Sequence, residues 1–218
     1  MGDFKCLSFN VKGIQNKVKR TQIFNYCKDK INENGIVLLQ ETHSCGKNLA
    51  GWRNEWGADL YLNHGSSNSR GTLIAFTKNF ERKVLKYIDD KNGRIQILTF
   101  EHKRKKFMII NVYNNNIEKD QVETLKKIDI LMGSFEDINE YNIIAGGDWN
   151  FILDKKVDAY GGNPKLKLHS IAEHTKLKNK FLLCDIYRIR NQHLKRFTFR
   201  QKTPCLARRL DRFLISKI

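Results

Sequence analysis

Proline is nearly absent, with only Pro164 and Pro204 in 218 residues, and there is no Ser/Gly-rich stretch. Nothing therefore marks a linker or an internal boundary, and one domain over 1–218 is expected. No apolar run approaches the ~18 residues that a membrane helix needs. The longest runs, 36–39 and 107–110, are strand-sized. The opening Met1-Gly2-Asp3-Phe4-Lys5 leads directly into a strand-like segment, so no signal peptide is expected, and Gly2 stands in a poor match to a myristoylation site. The five cysteines, Cys6, Cys27, Cys45, Cys184 and Cys205, are odd in number and form no CxxC pair. That excludes a disulfide framework and points to free thiols in a reducing compartment. HExxH spacing is missing too: His169 and His174 are five apart, so zinc is not expected, and the six histidines read mostly as surface residues.

Acidic residues are scarce against basic ones. Forty Lys and Arg face 23 Asp and Glu, a net charge of +17. An excess of that size in a small domain faces a polyanion, and nucleic acid is favoured over a membrane surface. What is present in quantity is core material, with 40% hydrophobic and 11% aromatic residues. A chain of this length buries enough surface to fold without staples.

Patterning alternates strands and helices. Strands are expected at 6–9, 36–40, 72–77, 83–88, 94–101, 107–113 and 141–145, with a long glycine-bearing loop region after 41. Helices are expected at 19–31, near 166–181, and at 119–138. In the last of these Val122, Leu125, Ile128, Leu131 and Phe135 make an amphipathic stripe. Segments 196–200 and 209–216 read as two terminal strands paired across a short connection. The mixture indicates two sheets packed together and covered by helices.

The informative polar residues fall at strand ends, where a scaffold presents chemistry. Asn10, Glu41, Asp148, Asn150 and Asp211 all sit at or beside apolar strand segments. Glu41 suits a hard-cation ligand as well as a structural carboxylate. Asp148 and Asn150 project two residues apart from a turn made sharp by Gly146 and Gly147, an acid and an amide suited to water activation and phosphate orientation. Asp211 lies among Arg208, Arg209 and Arg212, as either a surface ion pair or an orienting acid.

Several segments occur together in one order: Leu7-Ser8-Phe9-Asn10, Gln40-Glu41-Thr42-His43, Asn111-Val112-Tyr113, Gly147-Asp148-Trp149-Asn150 and Arg209-Leu210-Asp211-Arg212-Phe213. They resemble the endonuclease/exonuclease/phosphatase superfamily, and His64–Gly71, Asp185-Ile186-Tyr187-Arg188 and Phe197-Thr198-Phe199 add to that resemblance in a more particular way. More closely, they resemble the apurinic-endonuclease-like domain of LINE-type (non-LTR) retrotransposon proteins. The resemblance implies a DNase I-like, four-layered α/β sandwich. It implies a magnesium-dependent DNA endonuclease, with manganese as a substitute ion, that nicks double-stranded target DNA. A reverse transcriptase in the same polypeptide would then prime from the 3′-hydroxyl. The protein would be made in the cytoplasm and act in the nucleus, with no membrane partner.

By the same resemblance Glu41 holds the metal with Asn10 close by, and Tyr113 approaches the scissile phosphate. Asp148 activates water, Asn150 orients it, and Asp211 orients a catalytic histidine. Asn116, Arg196, Thr198, Arg200, Lys202, Arg208 and Arg209 would meet DNA, with Asn116 standing for the family's asparagine after the tyrosine. There are three departures. The family's Ala-Pro-Asn after the tyrosine is Asn114-Asn115-Asn116 here, its Asp-Phe-Asn is Asp148-Trp149-Asn150, and none of the six histidines follows Asp211, where the family carries Ser-Asp-His. A C-terminally truncated domain that grips DNA with impaired nicking, and an apurinic repair endonuclease, are the competing expectations.

Overall fold

The computed structural model describes residues 4–32 and 34–216, so Gly2 and the start of the chain lie outside the described residues. The elements are β1 (Lys5–Asn10), α1 (Lys17–Ile31), β2 (Gly35–Gln40), α2 (Leu49–Trp56), β3 (Leu60–Asn63), β4 (Thr72–Phe76), β5 (Lys83–Asp89), β6 (Ile95–His102) and β7 (Lys105–Tyr113). There follow α3 (Glu118–Gly133), β8 (Tyr141–Asp148), α4 (Lys155–Asp158), β9 (Ala159–Tyr160), α5 (Leu168–Lys180), β10 (Leu183–Asp185), α6 (Ile186–Arg190), β11 (Phe199–Gln201), β12 (Leu206–Arg208) and β13 (Asp211–Ser216). The fold is α/β, with mixed sheets flanked by helices. Two compact units share the chain. One holds the residues up to Tyr113 with Asn139–Gly147; the other holds Asn114–Ile138 and the chain from Asp148 on.

In the first unit one sheet runs β1-β2-β4-β3, with β1 parallel to β2 and the other pairs antiparallel. The second runs β8-β7-β6-β5. Every residue of β2 is buried, which is why Ile36–Leu39 is continuously apolar rather than alternating. On its outer face β2 packs with β4 against Phe24, Cys27 and Ile31 of α1 and Trp52 and Trp56 of α2. On the inner face β2 and β4 meet β7. There Asn111 Nδ2 donates to the Leu39 and Leu73 carbonyls at 3.0 and 2.9 Å, and Gln40 Nε2 donates to Asn111 Oδ1 at 2.8 Å. These bonds join the sheets and satisfy both ends of the buried Asn111 amide and the Gln40 amide nitrogen.

Part of the expected loop after Glu41 is instead α2 and β3. Trp52 and Trp56, one turn apart, fix α2 by burial, and a glycine at 51 costs less than that burial returns. Gly57 ends the helix at φ +80, its N–H donating to the Arg53 carbonyl at 2.9 Å.

In the second unit α3 packs on α5, α5 on β10 and α6 on β13. Helix α3 ends at Gly133, short of the expected 138, because Gly133-Ser134 is a poor continuation; Phe135 folds back with its N–H on the Met132 carbonyl. The terminal strands also differ from expectation. The hairpin is β11 with β12, and β12 pairs on its other side with β9. Strand β13 is not the partner of 196–200; it pairs antiparallel with β10. Two histidines are core rather than surface. His102 stacks on Phe80 at 4.7 Å in the first unit, and His174 sits edge-on to Trp149 at 5.1 Å in the second. Burial, and then the charge of Arg212, holds His174 well below the usual imidazole range, so it is neutral.

Candidate active site

The first unit carries Asn10, Glu41 and Tyr113. Parallel pairing aligns Asn10 with Gln40, so the ends of β1 and β2 are neighbours. Asn10 Nδ2 donates to Glu41 Oε1 at 2.8 Å, and Asn10 Oδ1 accepts from the Lys12 N–H at 3.1 Å. Beyond the strand ends the backbone turns sharply, with Lys12, Glu41 and His43 at φ 48, 54 and 57. Left-handed backbone costs a non-glycine residue ~1–2 kcal/mol each, a cost that clusters where geometry is functional. Gly13 relieves the crowding, since a Cβ there would lie 2.7 Å from His43 Nδ1. The Gly13 N–H donates to the Glu41 carbonyl at 2.6 Å, which ties the Glu41 main chain to the turn after β1. Tyr113, at the end of β7, is 9% exposed. Its N–H donates to the Arg94 carbonyl at 2.8 Å, and the Arg94 guanidinium lies 5.1 Å from its ring centroid. The sequence reading missed Arg94, which only the β6–β7 pairing brings to the tyrosine.

The second unit carries Asp148, Asn150, Asn116, Thr198, Asp211 and the basic residues. The glycine before Asp148 is obligatory: at φ +147, a Cβ on Gly147 would lie 1.9 Å from the Val112 carbonyl oxygen. Asp148 Oδ1 accepts the Asn150 N–H at 3.0 Å, closing an Asx turn that places Asn150 at φ 57. Asn150 Nδ2 donates to the Asn114 carbonyl at 2.7 Å, and the Asn114 N–H returns to the Asp148 carbonyl at 2.8 Å. Trp149 fills the core behind the turn. Its N–H and Nε1 donate to the Leu210 and Arg212 carbonyls at 3.0 and 3.2 Å, which a phenylalanine could not fully reproduce.

Asn150→Gly and Asn150→Ala both lose the bond to Asn114, yet only glycine takes the left-handed turn without strain. The alanine variant should unfold at lower urea, less stable than the glycine variant by about 1 kcal/mol. Equal stabilities would contradict a strained turn.

Thr198 Oγ1 accepts from the N–H groups of Leu210 and Asp211, each at 3.0 Å. Burial raises the Asp211 carboxyl above its usual range, opposed by a hydrogen bond from Thr198 and the charge of Arg212. Arg196, Arg200 and Lys202 are exposed on and beside the hairpin. Arg208 donates to the carbonyls of Tyr160, Ala207 and Gly161 at 2.7, 2.7 and 3.0 Å, tying β12 to β9. Arg209 is corrected. It is 3% exposed and grips both Asp185 oxygens at 2.7 and 2.8 Å, so its guanidinium is spent inside the protein and unavailable to DNA. Asn116 is exposed, and its carbonyl accepts from Lys167.

Among the described residues no group of three or more His, Cys, Asp and Glu side chains could hold a metal ion. Asn10 turns its amide nitrogen to Glu41 and its oxygen to the Lys12 N–H, so the hard donors here are the Glu41 carboxylate oxygens, which fit a cation keeping most of its waters, as magnesium does.

No family model matches the chain. Along 96% of its length it is 25% identical to the transposon TX1 uncharacterized 149 kDa protein of Xenopus laevis, of which it spans 16%. Among solved structures, an AP endonuclease of Archaeoglobus fulgidus matches with a TM-score of 0.73 at 17% identity, over 96% of this chain and 86% of that one. The AP endonuclease LMAP of Leishmania major matches with a TM-score of 0.70 at 14% identity, over 98% and 79%. Both parts of the resemblance read in the sequence are thus met: the fold is that of apurinic endonucleases, and the relative is a transposon protein.

Proposed function

We propose that this apurinic-endonuclease-like domain is the DNA-nicking endonuclease of a non-LTR retrotransposon. It cuts one strand of chromosomal DNA so that a reverse transcriptase carried by the same polypeptide can extend the end. The observation that carries this reading is Glu41, held in a left-handed turn at the end of β2 with Asn10 on its carboxylate. A divalent cation bound there, magnesium or manganese, would neutralise phosphate charge. Asp148 takes a proton from the attacking water, and Asn150 orients that water and a phosphate oxygen. Tyr113 meets the scissile phosphate. The water oxygen bonds to phosphorus, the P–O3′ bond breaks, and the strand is left with a 3′-hydroxyl and a 5′-phosphate. Asp211 would orient a histidine that gives the leaving O3′ its proton, a residue that residues 212–218 do not contain. The nucleus is the place of action.

Repair of abasic DNA is the competing chemistry on the same fold. Cleavage of a duplex with one abasic site, compared with the same intact duplex, separates the two. The retrotransposon reading expects intact duplex to be nicked at comparable rates. Cleavage confined to the abasic site would replace it with repair.

Target choice belongs to the hairpin. Arg196, Arg200 and Lys202 project from an exposed β11–β12 ribbon, a shape suited to a minor groove whose width and deformability are read. In a chain extended to carry the family's Ser-Asp-His, replacing 201–207 by an Asn-Gly turn should change which positions are nicked on one long duplex and leave metal dependence as it was. Sequencing the nick positions checks this, and an unchanged pattern would move target choice elsewhere.

A further inference from the structure

Lys167, just ahead of α5, is a half-buried cation that no sequence motif points to. Its Nζ donates to the Asn116 carbonyl at 2.6 Å and to the Asn150 carbonyl at 3.1 Å. Those carbonyls belong to the loop that follows Tyr113 and to the Asp148–Asn150 turn. The Asn150 carbonyl does not need a charge to be satisfied. Gln121 Nε2 already reaches the Asn150 carbonyl at 2.9 Å and the Asn115 carbonyl at 2.6 Å, and is itself held by Ser170 Oγ at 2.8 Å. A neutral amide therefore braces the turn, and the ammonium is added beside it at a desolvation cost. That burial lowers the Lys167 pKa, opposed by the facing carboxylates of Glu118 and Asp148. An ammonium has three donors. Two are spent on the main chain, which fixes its orientation, and one remains.

We propose that Lys167 is a phosphate-positioning residue: its ammonium, held by the Asn116 and Asn150 carbonyls, contacts a DNA backbone phosphate beside the Asp148–Asn150 turn. This rests on the nucleic-acid reading above.

The test is duplex binding across a salt series by the wild type, Lys167→Met and Lys167→Arg, with urea unfolding of each. One phosphate contact contributes a slope of about 0.9 in log affinity against log salt. Lys167→Met should flatten the slope by about that amount, and Lys167→Arg should keep it. A merely structural brace would lower the urea midpoint of Lys167→Met and leave its slope at the wild-type value, which overturns the proposal. Should Lys167→Met not fold, Lys167→Gln, which still donates to a carbonyl, is read in the same way. A wild type that binds DNA without salt dependence overturns both the nucleic-acid reading and this one. A salt-dependent wild type with an unchanged Lys167→Met slope overturns this one alone.

Discussion

In a chain extended to carry the family's Ser-Asp-His, Glu41→Ala should lower magnesium-dependent nicking on the order of 10²–10³-fold, the loss expected when a few kcal/mol of charge stabilisation at the phosphate is removed. DNA affinity should stay within about twofold, because one carboxylate contributes nothing favourable to a polyanion contact. The substitution also removes the acceptor of the Asn10 amide, a half-buried bond whose loss costs about 1 kcal/mol. Stability therefore falls slightly and gives no alternative explanation for a large kinetic effect. Plasmid nicking and duplex binding on the same preparation check both halves. Retention of more than a tenth of the parent activity would remove Glu41 as the metal ligand.

Affinity for duplex DNA should fall steeply with salt. A face that neutralises six to ten phosphates loses roughly 10³–10⁵-fold in affinity between 50 and 200 mM salt. The net charge of +17 is ample for such a face. Arg196 and Arg200 are the first residues to truncate, since both are exposed and neither is spent on the protein's own carbonyls as Arg208 is. Each truncation should flatten the log–log slope by about 0.9. Arg209→Met behaves differently: it strands Asp185 in the interior, so its main effect is a loss of about 3–5 kcal/mol in stability. A slope near zero in the wild type would mean that the basic excess serves another purpose.

Much of the scaffold was legible because burial writes itself into pattern. Strand β2 is buried on every residue and reads as an unbroken apolar run, while α3 buries Leu125 and Ile128 of its expected stripe together with Gln121, Thr124 and Met132. The strand ends then placed Asn10, Glu41, Asp148 and Asn150 beside turns without any coordinates. Helix α2 was lost because its signal is two tryptophans rather than a full stripe, with Gly51 just ahead of the first. The terminal hairpin was misread for a related reason. Phe197 and Phe199 do alternate with exposed neighbours, but alternation names a face and not a partner, and β13 pairs with β10 instead. Arg94, Lys167 and Arg209 carry no local signal at all. Their roles come from a ring, two main-chain carbonyls and an aspartate distant in sequence.

The most direct measurement is the fate of supercoiled plasmid given magnesium and the protein extended to carry the family's Ser-Asp-His, followed by a polymerase that extends only 3′-hydroxyl ends. The expected result is conversion to nicked circles that vanishes with a chelator, with nicks that the polymerase extends without prior repair. Absence of metal-dependent nicking, or nicks that the polymerase cannot extend, would contradict the endonuclease assignment.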